Sequence, residues 1–282
     1  RKFENRRKKM KYELIGLDMD GTMLNSEKKI TDGVIKAIKE AIANGKYVSL
    51  SSGRALAELT EYREMLKEME YAILESGALV YNLKKDEIIS VVTLDEDIVK
   101  KVFEAVKGKD VFVHLISQGR SVSPEKLIPK MDKYHMGVYI PMYKKVCIKV
   151  EDTIKFHYED KQGIEKINLF HTTPQDRENT RKKLQGLPIE MLDAEETSLE
   201  ISPLGVTKGF GLKKLCEYLN MGIEQSIAVG DADNDLDVLK TAGLAVAMGN
   251  ANANVKKIAD VEVMDNDHDG VAEAIYKYLL EK

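Results

Sequence analysis

Two aspartates stand two residues apart in the run Ile15-Gly-Leu-Asp18-Met-Asp20-Gly21-Thr22-Met-Leu24, directly after an apolar stretch and directly before a glycine. In an extended strand, residues i and i+2 point the same way, so Asp18 and Asp20 are expected to face one point at the strand's carboxyl end. Gly21 lets the chain turn sharply there. Two carboxylates in one place repel, so one must carry a metal or hold a proton. Such a pair suits one carboxylate acting as nucleophile and the other as general acid/base. Taken alone, the run reads as a capped turn.

Three further clusters change that reading. Ser52-Gly53-Arg54 follows a second apolar stretch, Lys208 sits in Val206-Thr-Lys-Gly209, and Gly230-Asp231-Ala-Asp-Asn234-Asp235 follows a third. Each has a plain explanation as a turn, a solvated helix end or a helix start. A lysine at a helix N-terminus opposes the macrodipole, which favours a specific partner for Lys208. Asp233 and Asp237 read as helix-start and surface acids.

The elements that must position these residues alternate between strand and helix. Residues 12–17 read as a buried strand, and Thr31 caps a helix with Ile35, Ile38 and Ile42 on one face, ending at Asn44-Gly45. Residues 47–50 form a second strand, a helix follows to about Met69, and residues 71–74 form a third strand. After Ser76-Gly77 an apolar stretch runs to Tyr81. The pattern resumes with a helix opened by Lys208 and capped by Thr207, a strand at 226–229, a helix at 234–242, a strand at 244–248 and a last helix at 271–280. This alternation implies a parallel sheet with helices on both faces, and such sheets bind ligands at the carboxyl ends of their strands. Asp18, Ser52 and Asp231 all fall there.

Between residues 83 and 195 the texture changes. Lys84-Lys85-Asp86 marks a charged exit; strands are expected at 111–116, 146–150, 167–170 and 189–192, and helices at 95–106 and 174–184, the latter capped by Thr173 with Pro174 in its first turn. Between Asp20 and Ser52 there is room for one turn and one helix only, whereas the chain from Ser52 to Lys208 is far longer than one helix and one strand require. The expected organisation is therefore a basic extension at 1–11, a core domain from 12–82 and 196–282, and an inserted α/β domain at 83–195.

The totals are those of an ordinary globular chain. With 43 Lys and Arg against 47 Asp and Glu, the net charge of -4 implies no nucleic-acid partner. No apolar run approaches the length of a membrane span. Two widely separated cysteines, Cys147 and Cys216, lack metal-ligand spacing and suit a reduced, cytoplasmic compartment. Seven of the first eleven residues are Lys or Arg with no apolar segment behind them, so they are read as an extension rather than a signal peptide, with Met10, just before the first strand, one candidate for the start.

In this order and placement the four clusters resemble the haloacid dehalogenase-like hydrolase superfamily, specifically its Cof-type phosphatases with a C2-type cap. The resemblance spans residues 12–82 and 196–282 and includes Met248-Gly-Asn-Ala251 and Asp269-Gly-Val271; the middle segment matches by position and size. It implies a Rossmann-like parallel-sheet core with helices on both faces and an inserted α/β cap. It also implies a Mg2+-dependent phosphatase that hydrolyses small phosphorylated metabolites (sugar phosphates, nucleotides or cofactor phosphates) through an aspartyl-phosphate. Asp18 would be the nucleophile. Asp20 would be the general acid and then the base, helped to hold its proton by an ionised neighbour. Mg2+ would be held by Asp18, the Asp20 backbone carbonyl and Asp231. Ser52, the Gly53 and Met19 amides, Lys208 and Asn234 would bind the phosphoryl group, and Asp235 would position Lys208 or metal-bound water. The cap would exclude water and recognise the leaving group. His114, Arg120, Lys166, Asn168 and His171 are the cap residues considered for that contact, each with a structural reading beside it. One departure is visible: the family commonly carries Asn-Gly after the third strand, where this chain has Glu75-Ser76-Gly77.

The rival enzyme is a phosphomutase of the phosphomannomutase type, which shares the Asp-x-Asp start. A phosphorylation-driven ATPase would carry threonine in place of Asp20. A non-catalytic phosphometabolite-binding module is the alternative from another class; a receiver domain places its phospho-accepting aspartate on the third strand, not the first.

Overall fold

The structure is a computed structural model that describes residues 12–193 and 195–282; the basic extension at 1–11 lies outside the described residues. The strands are β1 (Leu14–Leu17), β2 (Tyr47–Ser51), β3 (Tyr71–Leu74), β4 (Leu79–Asn82), β5 (Glu87–Val91), β6 (Phe112–Ser117), β7 (Arg120–Pro124), β8 (Ile148–Val150), β9 (Lys166–Phe170), β10 (Ile189–Leu192), β11 (Ser198–Pro203), β12 (Ser226–Gly230), β13 (Leu244–Ala247) and β14 (Val261–Glu262). They form an eight-stranded sheet in the order β14-β13-β12-β1-β2-β3-β4-β5 and a six-stranded sheet in the order β10-β11-β9-β6-β7-β8.

The first sheet is parallel from β14 to β3. Its central strand is buried at every position, as expected of a strand covered by helices on both faces. Helix Asp32–Ala43 starts at Thr31, whose side chain accepts from the Val34 N–H, and helix Lys208–Tyr218 starts at Thr207, which accepts from Phe210. Both caps were legible in the sequence, as was Thr173 before helix Pro174–Leu184.

Two features depart from the sequence reading. The sheet is not wholly parallel: β4 and β5 pair antiparallel with β3 and β4. Only four residues separate β3 from β4, too few for the crossover that a parallel neighbour needs. The second sheet is also displaced along the chain from the expected 83–195. Residues 87–91 belong to the first sheet, and β11 pairs with β9 and β10, so the second sheet extends to Pro203. Strand β5 is an edge strand with exposed and half-buried residues, so it carries no buried-strand signature.

Some helices differ as well. The stretch expected as one helix to Met69 is a 3-10 segment, Leu56–Tyr62, followed by one α-turn, Arg63–Leu66. The last helix is Gly270–Ala274 continued by a π-turn, Ile275–Leu279. Helices Ile140–Val146 and Thr153–Asp160 and strand β7 carry no clear pattern in the sequence, and the strand expected at 146–150 begins only at Ile148, because Val146 ends the helix before it. Each sheet has its own apolar core, and the two cysteines are buried free thiols. Among the described residues no helix is long and apolar enough to cross a membrane.

Candidate active site

Strand β1 pairs with β12, and the Asp18 N–H continues the ladder by donating to the Val229 carbonyl (3.1 Å). Asp18, just past β1, and Asp231, just past β12, are thereby brought together at neighbouring strand ends. Helix Lys208–Tyr218 starts on the same side. The Lys208 ammonium donates to Asp18 Oδ1 and to Asp235 Oδ1, both at 2.6 Å, and is 2% exposed. Asp235 Oδ2 accepts the backbone N–H groups of Asp231 (3.0 Å) and Ala232 (3.3 Å). Thr22 donates to Asp231 Oδ1 at 2.9 Å.

One oxygen from each of Asp18, Asp231 and Asp235 lies within 4.8 Å of the others. Both Asp235 oxygens are already engaged, so this residue orients Lys208 and the 231–232 turn. Asp18 and Asp231 keep oxygens for another partner. Three buried or half-buried carboxylates face one ammonium. Burial pushes Asp18 up to about 7; Lys208 opposes the shift, while Asp235 and Asp231 add to it. Burial also raises Asp231. Burial would lower Lys208, but Asp18 and Asp235 outweigh it and hold the ammonium protonated. An oxygen-only donor set with excess negative charge fits a hard divalent cation such as Mg2+.

Gly21 makes the arrangement possible. Its φ is +80°, and a Cβ there would lie 2.4 Å from Asp231 Oδ2. The loop Met248–Asn252 supports the same turn, with the Asn252 N–H donating to the Asp231 carbonyl (3.0 Å) and Asn250 to the Gly21 carbonyl (2.7 Å).

Asp20 does not face the same point as Asp18. The chain already turns at Met19, where Leu24 N–H donates to the Met19 carbonyl and Met23 N–H to that of Asp18, so the i, i+2 rule of an extended strand ends at Leu17. The Asp20 carboxylate instead meets Arg54, whose Nε and Nη2 donate at 3.0 and 3.1 Å, and Lys28 (3.1 Å). Burial would raise the Asp20 pKa, but Arg54 and Lys28 outweigh it and lower it. The expectation that Asp20 holds its proton beside an ionised acid is therefore corrected: here it is an ion-paired carboxylate. Arg54 was named only as part of its cluster. The signal was its position, a cation directly after Ser52-Gly53.

Ser52 is buried, and its Oγ accepts the Arg54 N–H at 3.2 Å. Met19 is buried, while Asn234 is exposed and, among the described residues, no hydrogen bond ties it to the cluster. Asp233 binds Asn252 and Asn254, and Asp237 accepts from the Gly209 N–H, in agreement with their reading as helix-start and surface acids.

The second sheet stands over this loop. Arg54 Nη1 reaches Met142 Sδ (3.7 Å), Lys145 pairs with Glu61 (2.9 Å), and the Ala57 N–H donates to the Gly119 carbonyl (3.0 Å). Of the five residues considered for leaving-group contact, His114, Asn168 and His171 are buried, and Arg120 is a half-buried partner of Asp160. His114 is fully buried among Ser121, Tyr143 and Asn168, and burial together with Lys166 lowers it to about 3. Arg120 binds Asp160, and His171 binds Thr197 and Thr180. Lys166 alone of the five reaches the first sheet's loops.

Comparison with known proteins identifies the family and supports the fold. The sequence signature of haloacid dehalogenase-like hydrolases matches residues 15–275. The chain is 30% identical to the 5-amino-6-(5-phospho-D-ribitylamino)uracil phosphatase YcsE of Bacillus subtilis over 97% of this chain and 98% of that one. It is also 30% identical to a chloroplastic endoribonuclease, YBEY, of Arabidopsis thaliana over 96% of its own length, but it spans only 47% of that protein. Among solved structures, a haloacid dehalogenase-like hydrolase from Bacteroides thetaiotaomicron superposes with a TM-score of 0.81 at 28% identity, covering 95% of this chain and 99% of the other.

Proposed function

The chain belongs to the haloacid dehalogenase-like hydrolases, and from that premise we propose that it is a Mg2+-dependent phosphatase of small phosphorylated metabolites working through an aspartyl-phosphate on Asp18. That it is a phosphoric monoester hydrolase of this family accords with its full-length phosphatase relatives. The observation that carries the mechanism is the bridge from Lys208 to Asp18 and Asp235 beside Asp231.

Lys208 holds Asp18 Oδ1, which leaves Oδ2 to attack. An Asp18 Oδ2–P bond forms, the ester P–O bond breaks, and the leaving alkoxide takes a proton from Asp20. To donate, Asp20 must first leave Arg54 and take up a proton. A water then attacks phosphorus and gives its proton to the Asp20 carboxylate. The Asp18–P bond breaks, which restores the Asp18 carboxylate and releases phosphate. Ser52 and the Gly53 and Met19 amides are the proposed donors to the phosphoryl oxygens. Mg2+, held by Asp18, the Asp20 carbonyl and Asp231, would neutralise charge between the two anionic reactants. The uracil phosphatase relative supports a small phosphorylated metabolite as substrate.

The test is phosphate release from a panel of phosphorylated metabolites, with Mg2+ and with EDTA, for the wild type and Asp18→Asn. Metal-dependent release that vanishes in the variant is expected. Isomerisation of a hexose phosphate without release would move the assignment to a phosphomutase. Silence in both assays alongside binding would leave a non-catalytic module.

A further inference from the structure

Three consecutive carbonyls of the loop after β2 each have a donor. Ser52 O accepts the Ser76 N–H (3.2 Å), Gly53 O accepts the Lys166 ammonium (3.4 Å), and Arg54 O accepts the Glu75 N–H (3.0 Å). Each peptide is planar and trans, so fixing a carbonyl aims the following N–H the opposite way. The Arg54 N–H accordingly meets Ser52 Oγ at 3.2 Å, and the Ala55 N–H meets Glu58 Oε2 at 3.1 Å. Among the described residues the Gly53 N–H meets no acceptor and remains free for a ligand.

Two of the three donors come from the turn Glu75–Gly77, where three successive residues have positive φ: 55°, 58° and 102°. Such backbone persists only where its surroundings over-determine it. Gly77 packs so closely on the Thr207–Lys208 peptide that a Cβ would lie 1.9 Å from the Thr207 carbonyl. The turn therefore touches the phosphate loop on one side and the Lys208 helix on the other. The third donor is different, because Lys166 belongs to the second sheet. It is 2% exposed, it is ion-paired with Glu200 on the adjacent strand β11, and it also reaches Ser76 Oγ (3.5 Å). A buried lysine needs such partners, and those of Lys166 lie in both sheets.

We infer that Lys166 is a positioning residue: by holding the Gly53 carbonyl it sets the Arg54 N–H onto Ser52 Oγ and so aims the Ser52 hydroxyl, which makes the phosphate site ready only when the second sheet is seated on the first. The inference rests on the proposed phosphate-binding role of Ser52 and Gly53. It assigns Lys166 no contact with the leaving group.

The experiment measures inorganic phosphate binding by calorimetry in Mg2+, together with turnover of p-nitrophenyl phosphate. It compares wild type, Lys166→Met and the charge-balanced pair Lys166→Met/Glu200→Gln, which avoids stranding a buried carboxylate if the single variant does not fold. Phosphate carries no leaving group, so it reads the loop alone. The expected result is an approximately tenfold weaker Kd for phosphate in the folded variants, partly restored in Lys166→Arg. An unchanged phosphate Kd with a raised KM for the ester would make Lys166 a leaving-group contact and overturn the inference. An unchanged Kd and KM with only a lower melting temperature would make it a packing residue and overturn it equally. If wild type binds phosphate but Asp18→Asn turns over as fast as wild type, the phosphatase mechanism fails while the Lys166 comparison still stands.

Discussion

Glu165, the residue before strand β9, is fully buried; its Oε2 accepts the Gly119 N–H at 3.4 Å, and among the described residues its Oε1 meets no partner. Across from it Glu75 is also fully buried, and among the described residues its carboxyl oxygens meet no side-chain donor, only the Leu56 backbone. Burial lifts Glu165 from 4.5 to about 7 against the pull of Gly119, Gln118 and Arg120, and burial together with Glu165 lifts Glu75 well above its ordinary value. Lys166 and Glu58 are the other charges facing Glu75. A native carboxyl with a raised pKa holds a proton that the unfolded chain has already released. Its stabilising contribution is complete below 4.5, falls as pH rises, and is gone above about 7. At about 1.4 kcal/mol per pH unit, the loss is about 3 kcal/mol. Glu165→Gln keeps the acceptor for Gly119 and cannot ionise. In denaturant titrations from pH 4 to pH 9, on the order of the window set by this shift, the variant and wild type should agree within about 1 kcal/mol at the acid end. The variant should be more stable by up to about 3 kcal/mol at the alkaline end. A stability difference independent of pH, or a wild type that is the more stable at high pH, would refute the placement of a buried carboxyl at Glu165.

Two glycines weigh differently on stability and activity. Gly77→Ala places a Cβ 1.9 Å from backbone, at Thr207 O, with φ at +102°. It should cost at least about 3 kcal/mol in thermal or denaturant unfolding, and a melting curve that superimposes on wild type would count against the close approach. Gly21→Ala meets a side chain, Asp231, which can move away from the 2.4 Å contact. Ala at φ +80° is strained in its own right, so the melting temperature should fall, though less than for Gly77→Ala; turnover should fall by about tenfold or more, and a metal titration should show a higher Mg2+ requirement. Unaltered metal dependence would argue that Asp231 is not where the cation sits.

Much of the site was legible because its residues follow strands whose apolar runs are unambiguous. Asp18, Ser52 and Asp231 needed only strand ends, and Lys208 only the Thr207 cap. Asp20 was misplaced because strand geometry was carried two residues too far; hydrogen bonds from Met23 and Leu24 turn the chain at once. Arg54 was passed over because its partners, Asp20 and Met142, are remote in sequence. Strands β5 and β11 were missed since neither has a continuous buried run, and their pairing is decided by neighbours rather than by local pattern. The departure at Glu75-Ser76 was visible as a sequence oddity, but its meaning required the backbone: Ser76 serves through its N–H, held by a positive φ, and through its Oγ, which Lys166 reaches.

The middle of the first sheet has a consequence for how the chain is made. β1 has β2 on one side, from nearby chain, and β12 on the other, from chain beyond the whole second sheet. During synthesis β1 therefore emerges as an exposed edge and stays one until residue 226 arrives, a state open to unwanted strand pairing. Asp18 likewise waits for Lys208 and Asp231. The nascent chain consequently carries the Asp18 carboxylate without Lys208 and Asp231 until both of those later segments have been made.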